Sequence, residues 1–288
     1  MPALALSKPR RRITARPLAA VLIAGSALAA APAQAVEYGV EIGAIRIMPQ
    51  SRSSILRTEL SPSLLGNALG LRDFESPGTS FSPSDGTTLV FTFVQTFDDH
   101  FVIKFEGGIP PSFKLNGRGL VQAPGPSGLL FSVDLGTPDN QPLAKARQWS
   151  PITLLQYRPL APTNRLQPYL GLGVGYTFFT NVKLGDNTAA ELNSQFGTPL
   201  ALLAGKPGPT SSRAQASSSW VLAFNGGLSW RLDEHWALTG SLSYGLLSTN
   251  TRIDLKASDG TLLAQSRANI VLNPLIAGLL LNYRFRYD

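Results

Sequence analysis

Large apolar side chains alternate with small residues along several segments of this chain, and residues 236–246 show the pattern most clearly. One face of that segment would carry Trp236, Leu238, Leu242, Tyr244 and Leu246, and the other Ala237, Thr239, Ser241, Ser243 and Gly245. A repeat of two residues is typical of a β-strand with two unlike faces.

A second segment of this kind, residues 169–178, has glycine on the face opposite its large residues. Gly171, Gly173 and Gly175 alternate there with leucine, valine and aromatic residues. A soluble sheet rarely places so many glycines toward its core. In a narrow transmembrane barrel the small residues point inward and the large ones face lipid.

The pattern predicts eight strands in all, joined by connections of alternating length. The strands are expected near residues 38–48, 87–98, 101–115, 149–158, 168–180, 220–232, 236–248 and 270–287. Long connections at about 49–86, 116–148, 181–219 and 249–269 alternate with three short ones. This arrangement predicts an all-β fold, an eight-stranded antiparallel transmembrane β-barrel with four long extracellular loops and short periplasmic turns. A soluble β-sandwich with an aromatic core is the alternative.

The first 35 residues have a composition unlike the rest. Five basic residues between Lys8 and Arg16 precede an apolar, alanine-rich run, and Ala33 and Ala35 suit a signal-peptidase site. We therefore predict a signal peptide over residues 1–35, cleaved after Ala35, and a barrel over residues 36–288. An uncleaved N-terminal anchor is the alternative, since the run from Leu18 to Val36 is uncharged.

Charge and composition limit the remaining function classes. Removing the leader leaves 20 basic against 18 acidic residues, so the high pI does not indicate a nucleic-acid partner. The chain has no cysteine and two histidines, which leaves little for metal or thiol chemistry, and the sequence indicates no cofactor.

The inward faces of the predicted strands supply the candidate functional residues. Small residues are expected to line the upper lumen: Gly171, Gly173, Gly175, Ala223, Ser241 and Ser243. Charged residues are expected nearer the periplasmic end: Glu41, Lys104, Glu106, Arg231, Arg284 and Arg286. These charges would form either a selectivity ring or a set of ion pairs that fills a narrow bore.

An enzymatic site would need a base close to a nucleophile. His100 and His235 follow the acidic pairs Asp98-Asp99 and Asp233-Glu234, but both histidines fall in predicted periplasmic turns. Such turns are commonly acidic and solvated. We expect a protein that is not an enzyme.

Several stretches resemble the OmpW family of outer-membrane proteins. Residues 149–157 (WSPITLLQY) and 167–179 (QPYLGLGVGYTFF) are similar to that family's fourth and fifth strands, and residues 272–285 (LNPLIAGLLLNYRF) to its last. One departure is the ending Tyr287-Asp288, where such barrels typically have a terminal phenylalanine.

This resemblance implies a bacterial outer-membrane channel for small hydrophobic molecules, with release sideways into the bilayer as one route. The implied partners are outer-membrane lipid and lipopolysaccharide, small hydrophobic molecules, and the barrel-assembly machinery during biogenesis. A structural or adhesive barrel that acts through its extracellular loops is the alternative function.

Overall fold

Eight antiparallel strands close into a barrel in the computed structural model, which describes residues 37–68, 70–129, 131–206 and 208–285. The strands are β1 (Glu37–Met48), β2 (Gly86–Thr96), β3 (Phe101–Gly108), β4 (Ile152–Tyr157), β5 (Leu166–Leu184), β6 (Ser219–Arg231), β7 (Trp236–Leu246) and β8 (Leu275–Phe285). Each pairs with its neighbour in sequence, and β1 pairs with β8 to close the barrel. The predicted signal peptide and Arg286 lie outside the described residues.

The outer face of the barrel is an apolar band. Val40, Phe91, Phe105, Leu172 and Leu279 point away from the lumen, each with more than two fifths of its surface exposed. Aromatic rings border the band, with Tyr176 and Trp220 at the rim of the long connections and Trp230, Trp236 and Tyr283 at the other. This is the surface of a transmembrane β-barrel, and the long connections mark its extracellular rim. Within the described chain, no helix has the length and apolar character needed to span a bilayer.

Above the barrel, the described residues of the long connections (49–85, 109–151, 185–218 and 247–274) and the upper end of β5 form a cap. One sheet contains Arg52–Ser53, Leu56–Leu60, Phe74–Ser76, Ser211–Ala216, Ser248–Lys256 and Leu262–Val271. A second sheet continues the barrel wall upward through the end of β5, Ala144–Trp149, Ser112–Arg118 and Ser80–Pro83. A hairpin of Leu120–Gln122 and Ser132–Asp134 completes the cap strands.

Short helices close the remaining sides of the cap. They are α1 (Leu64–Ala68), α2 (Asp186–Leu192) and α3 (Thr198–Leu203), with a π-helical turn at Asn193–Gly197 and 3-10 turns at Gly125–Leu129 and Pro138–Asn140. Phe196 from the π turn packs with its ring centroid 6.4 Å from that of Phe74 and 5.8 Å from that of Phe131. The long connections therefore have their own apolar core.

All eight predicted strands are present. The strand predicted at 149–158 begins at Ile152 and the one predicted at 168–180 continues to Leu184, and two others depart further from their expected bounds. The predicted strand 101–115 stops at Gly108, because Pro110 and Pro111 have no backbone N–H to donate. The predicted strand 270–287 begins at Leu275 instead. Before it, Asn273 adopts φ 34° and its side chain accepts the Leu247 amide at 3.1 Å, which turns the chain out of the cap sheet and into the barrel.

Candidate functional site

A buried ion pair crosses the lower lumen. Lys104 on β3 places its Nζ 2.7 and 2.9 Å from the two carboxylate oxygens of Glu41 on β1, and the Asn282 amide donates to Glu41 Oε1 at 2.9 Å. The two charged side chains are 4% and 2% exposed. Lys104 also lies 5.5 Å from the centroid of the Tyr169 ring. Because the charges are matched and hydrogen-bonded, the pair can remain buried in a narrow bore.

Polar side chains from the opposite wall complete this floor. The Gln156 amide donates to Asn225 Oδ1 at 2.6 Å, and Asn225 in turn donates to Ser243 Oγ at 2.8 Å. Below them the Arg284 guanidinium lies 3.8 Å from Glu37. Arg231 donates to the Pro162 carbonyl of the neighbouring periplasmic turn. Charged and hydrogen-bonded side chains therefore cross the lumen at this floor and continue below it to the periplasmic rim.

A cavity of about 320 Å³ lies on this floor, in the upper half of the barrel. Its walls are mostly apolar, with Ile45, Val90, Leu154, Val221 and Ile276 among them. Its polar residues are few and include Thr88, Glu106, Ser241 and Ser243. A pocket of this size, with apolar walls and few polar groups, fits a small hydrophobic molecule.

A second apolar cavity, of about 150 Å³, lies inside the cap. Both cap sheets and the helical connection contribute to its lining, through residues such as Leu56, Phe81, Leu143, Phe196 and Leu255. The two cavities share the lining residues Ile47, Gln148, Leu247 and Pro274. Apolar surface is therefore continuous from the cap into the barrel.

The barrel wall is interrupted between β3 and β4. Backbone pairing between these two strands ends at Glu106 and Ile152. Above that point, the next backbone hydrogen bond between the two segments is donated by the Gln148 N–H to the Pro111 carbonyl, at 3.1 Å. In the described chain, no backbone hydrogen bond crosses between residues 107–110 and residues 149–151. We call this interruption the window. Both of its edges line the barrel cavity, so the cavity adjoins the lipid-facing wall here.

The window results from its local sequence. Pro110, Pro111 and Pro151 have no amide hydrogen to donate, and Gly107 has open space where a Cβ would stand. On the lipid side, the Trp149 ring stacks on Phe178 with 6.0 Å between centroids. Trp149 lies at the outer aromatic border, so the window faces the outer half of the bilayer.

The structure places the predicted site residues at three levels. Ala223, Ser241, Ser243 and Glu106 line the barrel cavity. Glu41 and Lys104 form the floor, and Arg231 and Arg284 lie below it at the periplasmic rim. Glu106 was expected nearer the periplasmic end with the other charges. It lies instead one inward position above Lys104, at the bottom of the cavity.

The three glycines of β5 serve close packing rather than open space. A Cβ on Gly173 would approach Leu154 Cδ2 to 2.4 Å, and one on Gly175 would approach the Pro151 carbonyl to 2.6 Å. A Cβ on Gly171 would approach the Leu155 carbonyl to 2.7 Å. They therefore allow β4 and its side chains to come close to β5, and none of them lines the barrel cavity.

The two histidines occupy equivalent turns at the periplasmic rim. Asp98 Oδ1 accepts the amides of His100 and Phe101, and Asp233 Oδ1 accepts those of His235 and Trp236, all at 2.7–2.8 Å. These backbone hydrogen bonds hold the pKa of each aspartate below its usual value. The acidic residues therefore shape two tight turns.

Sequence reasoning did not find the window or the cap cavity. The sequence contains prolines at 110, 111 and 151 near predicted strand ends. A proline at a strand end does not indicate which of the two neighbouring strands loses its hydrogen bonds there. The cap cavity is built from residues of four separate connections, and their composition is that of loops.

No protein-family model and no curated protein matches the chain. Among solved structures, it is similar to the outer membrane protein OprG from Pseudomonas aeruginosa, with 22% identity and a TM-score of 0.62 over 87% of this chain and 96% of that one. The outer membrane protein AlkL is 19% identical over 90% and 97% of the two chains, with a TM-score of 0.45. Outer membrane protein W of E. coli is 17% identical over 84% and 98%, with a TM-score of 0.39.

The likeness to OprG extends over nearly all of both chains and confirms the fold that the sequence predicts. The expected resemblance is thus confirmed at the level of the fold: the chain is an eight-stranded antiparallel β-barrel that shares its fold with the outer membrane protein OprG.

Proposed function

We propose that this barrel conducts small hydrophobic molecules from the cell exterior through the cap into the barrel cavity, and releases them through the window into the outer leaflet. The observation that carries the proposal is the combination of an unpaired stretch of wall beside the cavity and a floor crossed by an ion pair. An apolar molecule that moved further down would have to separate the Lys104–Glu41 pair from its partners, which is costly because an apolar molecule offers no replacement hydrogen bond.

Two glycines provide a matched test of the window. A Cβ on Gly107, at the window, or on Gly240, on the far wall in β7, would meet no atom within 4 Å. Phenylalanine at either position therefore fits without a clash at Cβ, but only Gly107→Phe obstructs the window. The measurement is the rate at which an apolar dye, fluorescent only in lipid, enters cells that carry each variant.

We expect Gly107→Phe to slow dye entry severalfold and Gly240→Phe to leave it unchanged. Ser241→Trp, which fills the barrel cavity, should slow entry as well, whereas Arg231→Gln should not. Equal rates for the two phenylalanine variants would show that the molecule does not leave through the window. Entry no faster than in cells without the barrel would favour a structural or adhesive role.

The proposal includes no catalytic step. Lipid A isolated from cells with and without the barrel should therefore have the same mass, and a mass shift would reveal lipid-modifying activity.

We also propose that the protein is exported by a signal peptide cleaved after Ala35 and inserted by the barrel-assembly machinery. Protein purified from the outer membrane should then begin at Val36.

A further inference from the structure

Among the described residues that line the barrel cavity, only Glu106 carries an ionisable side chain. Within the described chain it makes no hydrogen bond and belongs to no ion pair. Most of the wall around it is apolar. A charge in such surroundings is unfavourable unless a counter-charge and hydrogen bonds compensate it. The cavity therefore contains an acceptor for which the described chain supplies no donor.

Lys104 is not the missing partner of Glu106, although it lies two residues earlier on β3. Its ammonium group is held by both carboxylate oxygens of Glu41, at 2.7 and 2.9 Å. Arg158 lies lower, beside a small pocket at the periplasmic end that Glu37 also lines. At the top of the floor, two carboxylates thus face a single ammonium group, and the bottom of the cavity has an excess of negative charge.

A second polar group beside Glu106 also lacks a partner. Thr92 of β2 lies directly opposite Glu106 in the register, and its other neighbour is Glu41 of β1. The Thr92 side chain is buried, and its hydroxyl has no hydrogen-bond partner in the described chain. Side chains opposite each other on one face have their Cβ atoms about 4.5–5.5 Å apart. The hydroxyl and the carboxylate are therefore within reach of one small polar group.

Glu106 also lies at the lower edge of the window. Pairing between β3 and β4 ends at Glu106 and Ile152, and the next residue, Gly107, is already in the interruption. The cavity walls above this point are mostly apolar. A molecule with its polar end on Glu106 would therefore place an apolar chain in the cavity, beside its proposed exit.

We propose that the barrel cavity binds hydrophobic amines, with the ammonium group on Glu106 and Thr92 and the apolar chain above them. The inference rests on the proposed function, since it names the class of molecule that enters the cavity. An ammonium group has three N–H donors and a positive charge, so it satisfies both residues and balances the charge of the floor. The pair remains ionic because the pKa of an alkylammonium ion in water is about six units above that of a carboxylic acid.

The test uses the mature barrel in phosphatidylcholine nanodiscs and three ten-carbon ligands, decylamine, decanol and decanoate. Because the chain has no cysteine, Ser241→Cys places a single thiol in the cavity wall. Bound ligand shields this thiol from a small neutral thiol reagent, and the ligand concentration that halves the reaction rate measures affinity. Each ligand is compared with itself between proteins, so its partitioning into lipid cancels.

The variant made in this background is Glu106→Gln, which keeps the size of the side chain and removes its charge. The control is Glu75→Gln, which neutralises an exposed carboxylate of the cap. Heat-dependent migration on gels verifies that each protein is folded.

We expect Glu106→Gln to weaken decylamine binding by about tenfold to a hundredfold, the range for a hydrogen bond to a charged group. Decanol binding should stay nearly unchanged, because the glutamine carbonyl still accepts a hydrogen bond. Decanoate binding should become tighter, because the repulsion between two carboxylates is removed. The Glu75→Gln control should bind all three ligands as the parent protein does.

Two results would overturn the inference and leave the conduit intact. Unchanged decylamine affinity in Glu106→Gln would place the ammonium group elsewhere. Equal weakening of decylamine and decanol would mean that the substitution alters the shape of the cavity. The window is tested separately, by dye entry in Gly107→Phe and Gly240→Phe. If none of the three ligands shields the thiol in any protein, the cavity is not a binding site, which contradicts the proposed function as well.

Discussion

At the scale of single residues, the Lys104–Glu41 pair is the most consequential contact in the lumen. Each partner is nearly inaccessible to solvent, so removing one leaves an uncompensated charge. We expect Lys104→Met to lower the free energy of unfolding by about 3–5 kcal/mol. Urea unfolding in lipid vesicles, followed by tryptophan fluorescence, measures this value.

The control is the double variant Glu41→Leu, Lys104→Met, which removes both charges. It should recover most of the lost stability, because well-packed apolar residues often replace a buried ion pair without penalty. A double variant as unstable as the single one would mean that packing around Lys104, rather than charge, is what the single substitution disturbs.

A second residue-scale prediction concerns the lipid face of β5. Leu172 is 55% exposed and pairs with the outward-facing Leu155 and Phe224 on either side, midway between the aromatic borders. Leu172→Arg should lower the free energy of unfolding by about 2–4 kcal/mol, and Tyr176→Arg, at the outer border on the same face, by about 0–1 kcal/mol. Equal losses in unfolding experiments would contradict this placement of the bilayer.

At the scale of elements, the turn between β2 and β3 is held by Asp98. Its carboxylate accepts two backbone amides, which keeps its pKa below the ordinary value of 3.8. The ionised form is favoured in the folded state, so its stabilising contribution is present above about pH 4 and is lost as the pH falls through the lowered pKa. The protection factors of the His100 and Phe101 amides, which are exchange rates corrected for their intrinsic dependence on pH, should therefore fall as the pH drops through the lowered pKa of Asp98.

The Asp98→Ala variant provides the control for this turn. The same amides of the variant should have low protection factors at neutral pH, with little further change on acidification, while the protection factors of the equivalent turn at Asp233 still depend on pH. Acid-dependent exchange that persists in Asp98→Ala would assign the effect to another group.

The elements also show where sequence reasoning succeeds. Strands that face lipid on one side and the lumen on the other must alternate in character, so residues 236–246 and 169–178 reveal their strands directly. No such constraint acts on the cap strands, because they lie above the membrane and many, such as Arg52–Ser53 and Phe74–Ser76, are very short. Their pairing depends on contacts between distant parts of the chain.

Part of the candidate site could likewise be predicted from the sequence, and part of it depends on contacts between distant residues. The inward facing of Ala223, Ser241 and Lys104 follows from alternation alone. What fills the space beside them does not: the glycines of β5 adjoin β4 rather than a cavity, because Leu154 and Gln156 occupy the lumen there. The window exists because Gly107 pairs with β2 but not with β4. This loss of pairing on one side can be seen only in the closed barrel.

At the scale of the whole molecule, the orientation in the membrane can be tested directly, because the chain has no cysteine of its own. Ser258 lies in an exposed turn of the cap and Thr163 in an exposed turn at the opposite rim. A membrane-impermeant maleimide added to intact cells should label Ser258→Cys and should label Thr163→Cys only after the outer membrane is permeabilised. The reverse pattern would invert the barrel.

The charged floor of the lumen also determines the thermodynamics of the proposed passage. A molecule that leaves through the window remains on the same side of the ionic network as it entered, and the proposed passage moves no ion across that network. Flux is then passive partitioning from the external medium into the membrane, and it stops when the chemical potentials of the solute in the two phases are equal. Sustained uptake therefore requires a sink, such as metabolic consumption, and the direction of flow is determined by where the solute is removed.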